Sequence, residues 1–120
     1  MTGPAAASPV HPAAALVAQW SADMRRDRRS AHSIRAYAAT AHRLIAFLGP
    51  HGGGAVDAAA LAALQPTDLR AYLAHRRAAG LGNASTAREL SAIRAFLAWA
   101  KAHGHFTTEA AAALKGPRRA

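Results

Sequence analysis

The chain has 120 residues, which suits one domain, and it contains no cysteine, which excludes disulfide bonds and thiolate-bound metal ions. Fifteen lysines and arginines against six acidic residues give a formal net charge of +9, which in so short a chain indicates a polyanionic partner or an arginine surplus without a function. No apolar run approaches the roughly 20 residues of a membrane span, and the basic residues are spread over several segments instead of flanking one strongly apolar helix face, so we expect no membrane partner.

The two ends of the chain differ in composition from its middle. Residues 1–11 mix proline and glycine with alanine, which predicts a flexible tail. The first residues also lack the basic start and long apolar run of a signal peptide, so we expect a cytoplasmic protein. Residues 115–120 have the composition of a linker, and we expect the folded domain to occupy residues 12–114.

Apolar residues at three- and four-residue steps predict two long helices in the first half of the chain. The first is expected to run over about residues 12–28. Ser30 is a good N-cap for the second helix. We expect that helix to end at Leu48, because the proline of Gly49-Pro50 disfavours helical geometry in the residue before it. The glycine-rich residues 51–55 are expected to form a flexible connector.

The second half of the chain predicts further helices and no strand. They are expected at residues 58–64 (a short helical turn), 66–79, 83–103 and 107–114. Pro66 suits a first helical position, and Asn83 is a candidate N-cap. Thr107 or Thr108 can cap the last short helix. The fold class is therefore all-α.

The hydrophobic core is expected to depend on a few large side chains, because alanine supplies most of the apolar residues and buries little area. The expected core side chains are Trp20, Met24, Ile34, Tyr37, Leu44, Phe47, Leu48, Leu69, Tyr72, Leu73, Leu90, Ile93, Phe96, Leu97 and Trp99. We expect a small core of this kind to give a free energy of unfolding of about 5 kcal/mol.

The sequence predicts no metal site, no cofactor and no catalytic residue. The seven histidines are mostly far apart, and only His103 and His105 are close, on either side of a glycine. Tyr37 and Tyr72 fall on apolar helix faces, which favours core rings whose hydroxyls reach the surface over nucleophiles.

Several short motifs occur in an order that resembles one family. Residues 30–37 (SAHSIRAY), 65–73 (QPTDLRAYL) and 86–96 (TARELSAIRAF) are similar to successive motifs of the core-binding domain of tyrosine recombinases of the XerC/XerD and phage integrase type. Residues 43–48 and 114–118 are similar to two further segments of that domain. One departure is Glu89, which stands where the family commonly has arginine and places a negative charge beside the expected DNA-binding face.

The resemblance implies a SAM-like bundle of four to five helices that grips one face of a duplex DNA half-site. The family's catalytic residues belong to a separate domain, to which residues 115–120 would lead, and none of them is found in this sequence. We therefore expect a DNA-binding domain without enzymatic activity of its own. Double-stranded DNA and, in the full-length protein, other recombinase protomers are the expected partners, in the cytoplasm at the nucleoid.

Polar residues away from the apolar stripes are the candidate DNA contacts. They are Ser33, Arg35, Arg43, Ser85, Thr86, Arg88, Arg94 and Lys101. Ser85 and Thr86 are expected in the first turn of a helix, where hydroxyls and free amides can hold phosphates. Two roles stay open for Arg94, a DNA contact or a brace within the bundle, because it lies only about 40° around the helix from Leu90.

Two other functions stay open from the sequence. The first is a helical protein-interaction module of SAM-like shape that binds no DNA. The second is an unrelated alanine-rich helical regulator. DNA binding that depends on phosphate contacts should weaken steeply with salt, whereas a protein-interaction module should have little DNA affinity even at low salt.

Overall fold

The computed structural model describes residues 11–114, which form α-helices and a closing 3-10 helix, with no strand in that range. The elements are α1 (Ala14–Arg26), α2 (Ala31–Gly52), α3 (Ala58–Ala62), α4 (Pro66–Ala78), α5 (Asn83–Ala102) and the 3-10 helix (Ala110–Ala113). The prediction of an all-α bundle is confirmed. The predicted linker and residues 1–10 of the predicted tail lie outside the described residues.

The expected start of α2 is confirmed, but its expected end is wrong. The Ser30 side chain accepts a hydrogen bond from the Ser33 backbone N–H at 3.0 Å. The helix continues through Pro50 to Gly52 and ends at Gly53, whose φ of 85° is left-handed. The residue before the proline is a glycine, and without a Cβ it avoids much of the steric clash that normally excludes helical geometry there. The expected connector is therefore partly helical.

The remaining helix starts differ in their caps. Pro66 is the first residue of α4, as expected. Asn83 is the first residue of α5 and not its N-cap, which is Gly82 and has no capping side chain. The last predicted helix is the 3-10 helix, where the Thr108 hydroxyl accepts a hydrogen bond from the Ala110 N–H at 3.2 Å.

The core lies where α1 and α5 pack against α2. Most of the expected core side chains are buried, but Tyr37, Phe47 and Trp99 are only partly buried at the edges of the bundle. Additional buried side chains come from the segments between and after the long helices: Val56, Leu61, Leu64, Phe106 and Leu114. These segments extend the core beyond the contacts between the long helices, and the 3-10 helix packs against α4.

The amino-terminal edge of the described chain is tied to the bundle. The Val56 backbone N–H donates to Nδ1 of His11 at 3.0 Å, although the sequence assigned His11 to the tail. A Cβ placed on Gly49 would lie 2.6 Å from the His11 ring, so this close approach requires glycine.

Candidate nucleic-acid interface

Helices α2 and α5 form an open groove with a volume of about 650 Å³. Three of the candidate DNA contacts line this α2–α5 groove: Arg43 from α2, and Ser85 and Arg88 from α5. His32 adds a further basic side chain from α2. The packing of two helices that are distant in sequence thus brings part of the predicted set together.

The two arginines of the groove are held differently. Arg88 is exposed, and its Nη2 donates to the Ser85 hydroxyl at 2.9 Å. The Arg43 side chain is 41% exposed, and its Nη2 donates to the Thr40 hydroxyl at 3.2 Å and to Oε2 of Glu89 at 3.1 Å. The Arg88 side chain can therefore change its conformation to meet a ligand, whereas two hydrogen bonds hold the guanidinium group of Arg43 in place.

A second hollow lies beside the groove and shares Arg43 with it. Its lining includes Arg43 and Phe47 from α2 and His75 and Arg76 from α4. The Phe47 and His75 rings pack with centroids 5.3 Å apart. Together the groove and the hollow form one surface, the basic surface, which extends from Arg88 across Arg43 to Arg76.

Glu89 lies beneath this surface and does not project from it as the sequence led us to expect. It is 7% exposed, and its carboxylate accepts hydrogen bonds from Tyr72, Arg43 and Arg76. Burial alone would raise the pKa of Glu89, but hydrogen bonds from Tyr72 and Arg76 and the charges of both arginines hold it below its ordinary value. The carboxylate is therefore ionised at neutral pH, and the guanidinium groups of Arg43 and Arg76 balance its negative charge.

The Tyr72 hydroxyl does not reach the surface, which corrects a further expectation. Tyr72 is 1% exposed, and its hydroxyl donates to Oε1 of Glu89 at 2.5 Å. Burial, followed by the hydrogen bond and negative charge of Glu89, raises the pKa of Tyr72 to about 12. Tyr72 is a core ring, as expected, but its hydroxyl forms a hydrogen bond inside the protein instead of reaching the solvent.

Thr86 does not belong to the exposed set, and the expectation that its hydroxyl faces a phosphate is wrong. The residue is fully buried, its hydroxyl donates to the Gly82 carbonyl at 2.9 Å, and its backbone N–H donates to the same carbonyl at 2.9 Å. The neighbouring Ser85 is partly exposed in the groove. Ser85 therefore faces the groove, whereas Thr86, the next residue along α5, faces the core.

Three other candidates lie apart from the groove. Ser33 sits at the start of α2, where its hydroxyl accepts from the Ser30 hydroxyl at 3.0 Å. Arg35 lines a separate hollow with Arg25 and Arg29. Lys101 lies near the opposite end of α5 from Arg88 and is 3.6 Å from the Glu109 carboxylate.

Arg94 occupies the bracing position that the sequence left open. Its Nη2 donates to the carbonyl of Leu114, and it lies 3.5 Å from the carbonyl of Ala111. Both carbonyls belong to the segment that closes the bundle after α5. Through Nη2, Arg94 therefore attaches this segment to the helix.

Arg94→Ala should lower the free energy of unfolding by about 2 kcal/mol, because carbonyls that are partly buried lose a charged donor. Chemical denaturation followed by circular dichroism measures this loss. Arg88→Ala on the same helix is the control and should unfold like the parent, since its guanidinium contacts only an exposed hydroxyl. Equal stability of the two variants would contradict the bracing role.

Arg76 belongs to the site although the sequence reasoning did not select it. Its Nε and Nη2 donate to Oε2 of Glu89 at 3.2 and 3.1 Å, and its side chain is 21% exposed. A signal was present, because Arg76 follows Tyr72 by four residues and so shares a helix face with an expected core ring. A basic residue on the edge of an apolar stripe can reach both the core and the solvent.

Within residues 11–114 no three histidine or acidic side chains are grouped so as to hold a metal ion. His103 and His105 instead pack against Trp99, with ring centroids 5.1 and 4.9 Å away. Among the helices of that range, none is long and apolar enough to cross a membrane.

Known proteins resemble this chain over most of its length. The tyrosine recombinase XerC of Methylobacterium nodulans is 38% identical over 102 residues, which is 84% of this chain and 31% of the relative. XerC of Mesorhizobium japonicum is 37% identical over 101 residues, covering 83% of this chain and 32% of the relative. XerC of Mycobacterium tuberculosis is 38% identical over 90 residues, covering 75% and 28%.

The chain thus spans about a third of the length of the curated relatives it matches. No solved structure gives a significant match. Residues 17–104 match the family described as phage integrase, N-terminal SAM-like domain, a range that includes α2, α4 and α5 with the basic surface between them. This chain belongs to the phage integrase N-terminal SAM-like domain family.

Proposed function

We propose that this chain binds duplex DNA as the core-binding module of a tyrosine recombinase. The observation that carries the proposal is the basic surface, where Arg43, Arg76 and Arg88 from three helices lie on neighbouring concave surfaces. Guanidinium groups on such a surface suit the phosphates of a nucleic acid backbone. The net charge of +9 supports the same partner.

The relatives support the recombination context. The three relatives described above are each a tyrosine recombinase XerC, and each matches this chain with about a third of its own length. We infer that this chain positions DNA for a separate catalytic domain and other protomers, in the cytoplasm at the nucleoid, and does not itself cut strands. The proposed domain covers residues 12–114, with a tail before it and a linker after it.

The experiment that tests DNA binding is a titration of labelled duplex at two salt concentrations. Arg43, Arg76 and Arg88 together can neutralise about two to three phosphates. They predict a slope of about −1.8 to −2.7 for log affinity against log salt, so affinity should fall about 12- to 40-fold between roughly 50 and 200 mM salt. A duplex of arbitrary sequence suffices, because phosphate contacts carry no sequence information. No binding at the lower salt would refute DNA binding and favour a protein-interaction module.

Arg88→Ala should flatten that salt slope by about one unit and leave the melting temperature unchanged, because an exposed phosphate contact is lost. The matched control is Lys101→Ala, which removes the same charge about 20 Å along α5. The control should keep the parental slope. Equal slopes for the two variants would place the DNA elsewhere than the groove.

A further inference from the structure

Glu89 joins three helices beneath the basic surface through one carboxylate. Oε1 accepts from the hydroxyl of Tyr72 on α4. Oε2 accepts from Arg43 on α2 and from Arg76 on α4, with the nearest nitrogen of each at 3.1 Å. Because the carboxylate is buried and every partner is directed at it, the network fixes the rotamers of both arginines.

The two guanidinium groups converge on a single oxygen. Nη2 of Arg43 and Nη2 of Arg76 are each 3.1 Å from Oε2 of Glu89. The two nitrogens are therefore separated by no more than twice that distance. Two positive charges this close repel, and the carboxylate offsets that repulsion. The group of Arg43, Arg76 and Glu89 keeps one net positive charge.

Both arginines keep surface for an outside ligand. The Arg43 side chain is 41% exposed and that of Arg76 is 21% exposed, and both line the hollow beside Phe47 and His75. A guanidinium has five N–H donors. The hydrogen bonds formed within residues 11–114 use only Nη2 of Arg43, and Nε and Nη2 of Arg76, so donors remain on each.

We propose that Glu89 is a positioning residue that holds Arg43 and Arg76 as a paired clamp for one backbone phosphate. The proposal rests on the duplex binding proposed above and names the site where one phosphodiester group is held. Glu89 does not touch the DNA. It orders two long side chains before binding, which removes part of the entropy that ordering would otherwise cost on binding. Paired guanidinium groups then offer bidentate hydrogen bonds to the phosphate oxygens.

Glu89→Gln should change DNA affinity in opposite directions, depending on whether Glu89 acts only as a negative charge or positions the two arginines. The substitution removes a negative charge, so simple electrostatics predicts tighter DNA binding. The clamp predicts weaker binding, because a neutral amide no longer balances two converging guanidinium groups and they separate. We expect about a tenfold loss of affinity for labelled duplex at low salt, with a salt slope flatter by about one unit.

Two further variants make the test sharp. Glu109→Gln removes an equal charge from a carboxylate that is 73% exposed, and it should bind DNA at least as tightly as the parent. Arg76→Lys keeps the charge but loses the fork that spans Glu89 and a phosphate, and it should bind more weakly. If Glu89→Gln does not fold, Arg76→Lys still tests the clamp, because the Arg76 side chain is partly exposed and its replacement should leave the domain folded.

The outcomes separate this proposal from the proposed function. Weaker binding by both Glu89→Gln and Arg76→Lys, measured at a temperature at which circular dichroism shows both variants folded, supports the clamp. Parental or tighter binding by folded Glu89→Gln, or parental binding by Arg76→Lys, overturns the clamp and leaves duplex binding intact. Failure of the parent chain to bind duplex refutes both.

Discussion

Phe96→Ala should leave the domain close to unfolding. Phe96 on α5 is fully buried, and its ring lies 5.2 Å from the Trp20 ring of α1 and 6.2 Å from the Phe106 ring, centroid to centroid. Removing a buried phenylalanine ring costs about 3–5 kcal/mol. A domain of this size, with an alanine-rich core, has about 5 kcal/mol in total. The melting temperature should fall by at least about 12 °C.

Thermal unfolding followed by far-UV circular dichroism measures this effect. Phe96→Leu is the matched control, since it keeps most of the buried volume and should cost about 1 kcal/mol. Phe47→Ala removes an equal ring from a partly buried position and should cost less than Phe96→Ala. If Phe96→Ala melted like Phe47→Ala, the contact between α1 and α5 would not be central to stability.

The double variant Arg43→Ala/Arg76→Ala should lose about 3 kcal/mol of unfolding free energy at neutral pH, because it leaves the Glu89 carboxylate without its two counterions. Only the Tyr72 hydroxyl then remains as a partner. Urea denaturation at neutral pH measures the loss. Adding Glu89→Gln to the double variant removes the unpaired charge and should restore most of the stability.

The loss should also depend on pH with a definite sign. In the parent, the pKa of Glu89 is below its ordinary value of 4.5, so its contribution to stability is full above that value and is lost as the pH falls through the folded-state pKa. Without the arginines, burial of the carboxylate favours its protonated form. The gap between parent and double variant should therefore narrow towards about pH 4. Asp23, whose pKa is also lowered, is common to both proteins and cancels. A gap that stays constant with pH would contradict this account of Glu89.

The sequence alone determined the helical class of this protein and the positions of its long helices, except for the end of α2. Apolar spacing and capping are local properties, because hydrogen bonds within a helix join residues four apart and a cap acts within one turn. Ser30 and Pro66 could therefore be placed at helix starts from their neighbours alone. The order of short motifs likewise indicated the recombinase family that residues 17–104 match.

The tertiary structure decided which polar side chains can meet a ligand. Helical periodicity separates an inner from an outer face, but a residue at the edge is buried or exposed according to the helix packed beside it. Thr86 and Ser85 are adjacent in sequence, yet only Thr86 is fully buried. Arg76 and Glu89 come from different helices and meet only when α4 packs on α5. A local sequence pattern could therefore not show that the charge of Glu89 is buried, or that arginines at the surface neutralise it.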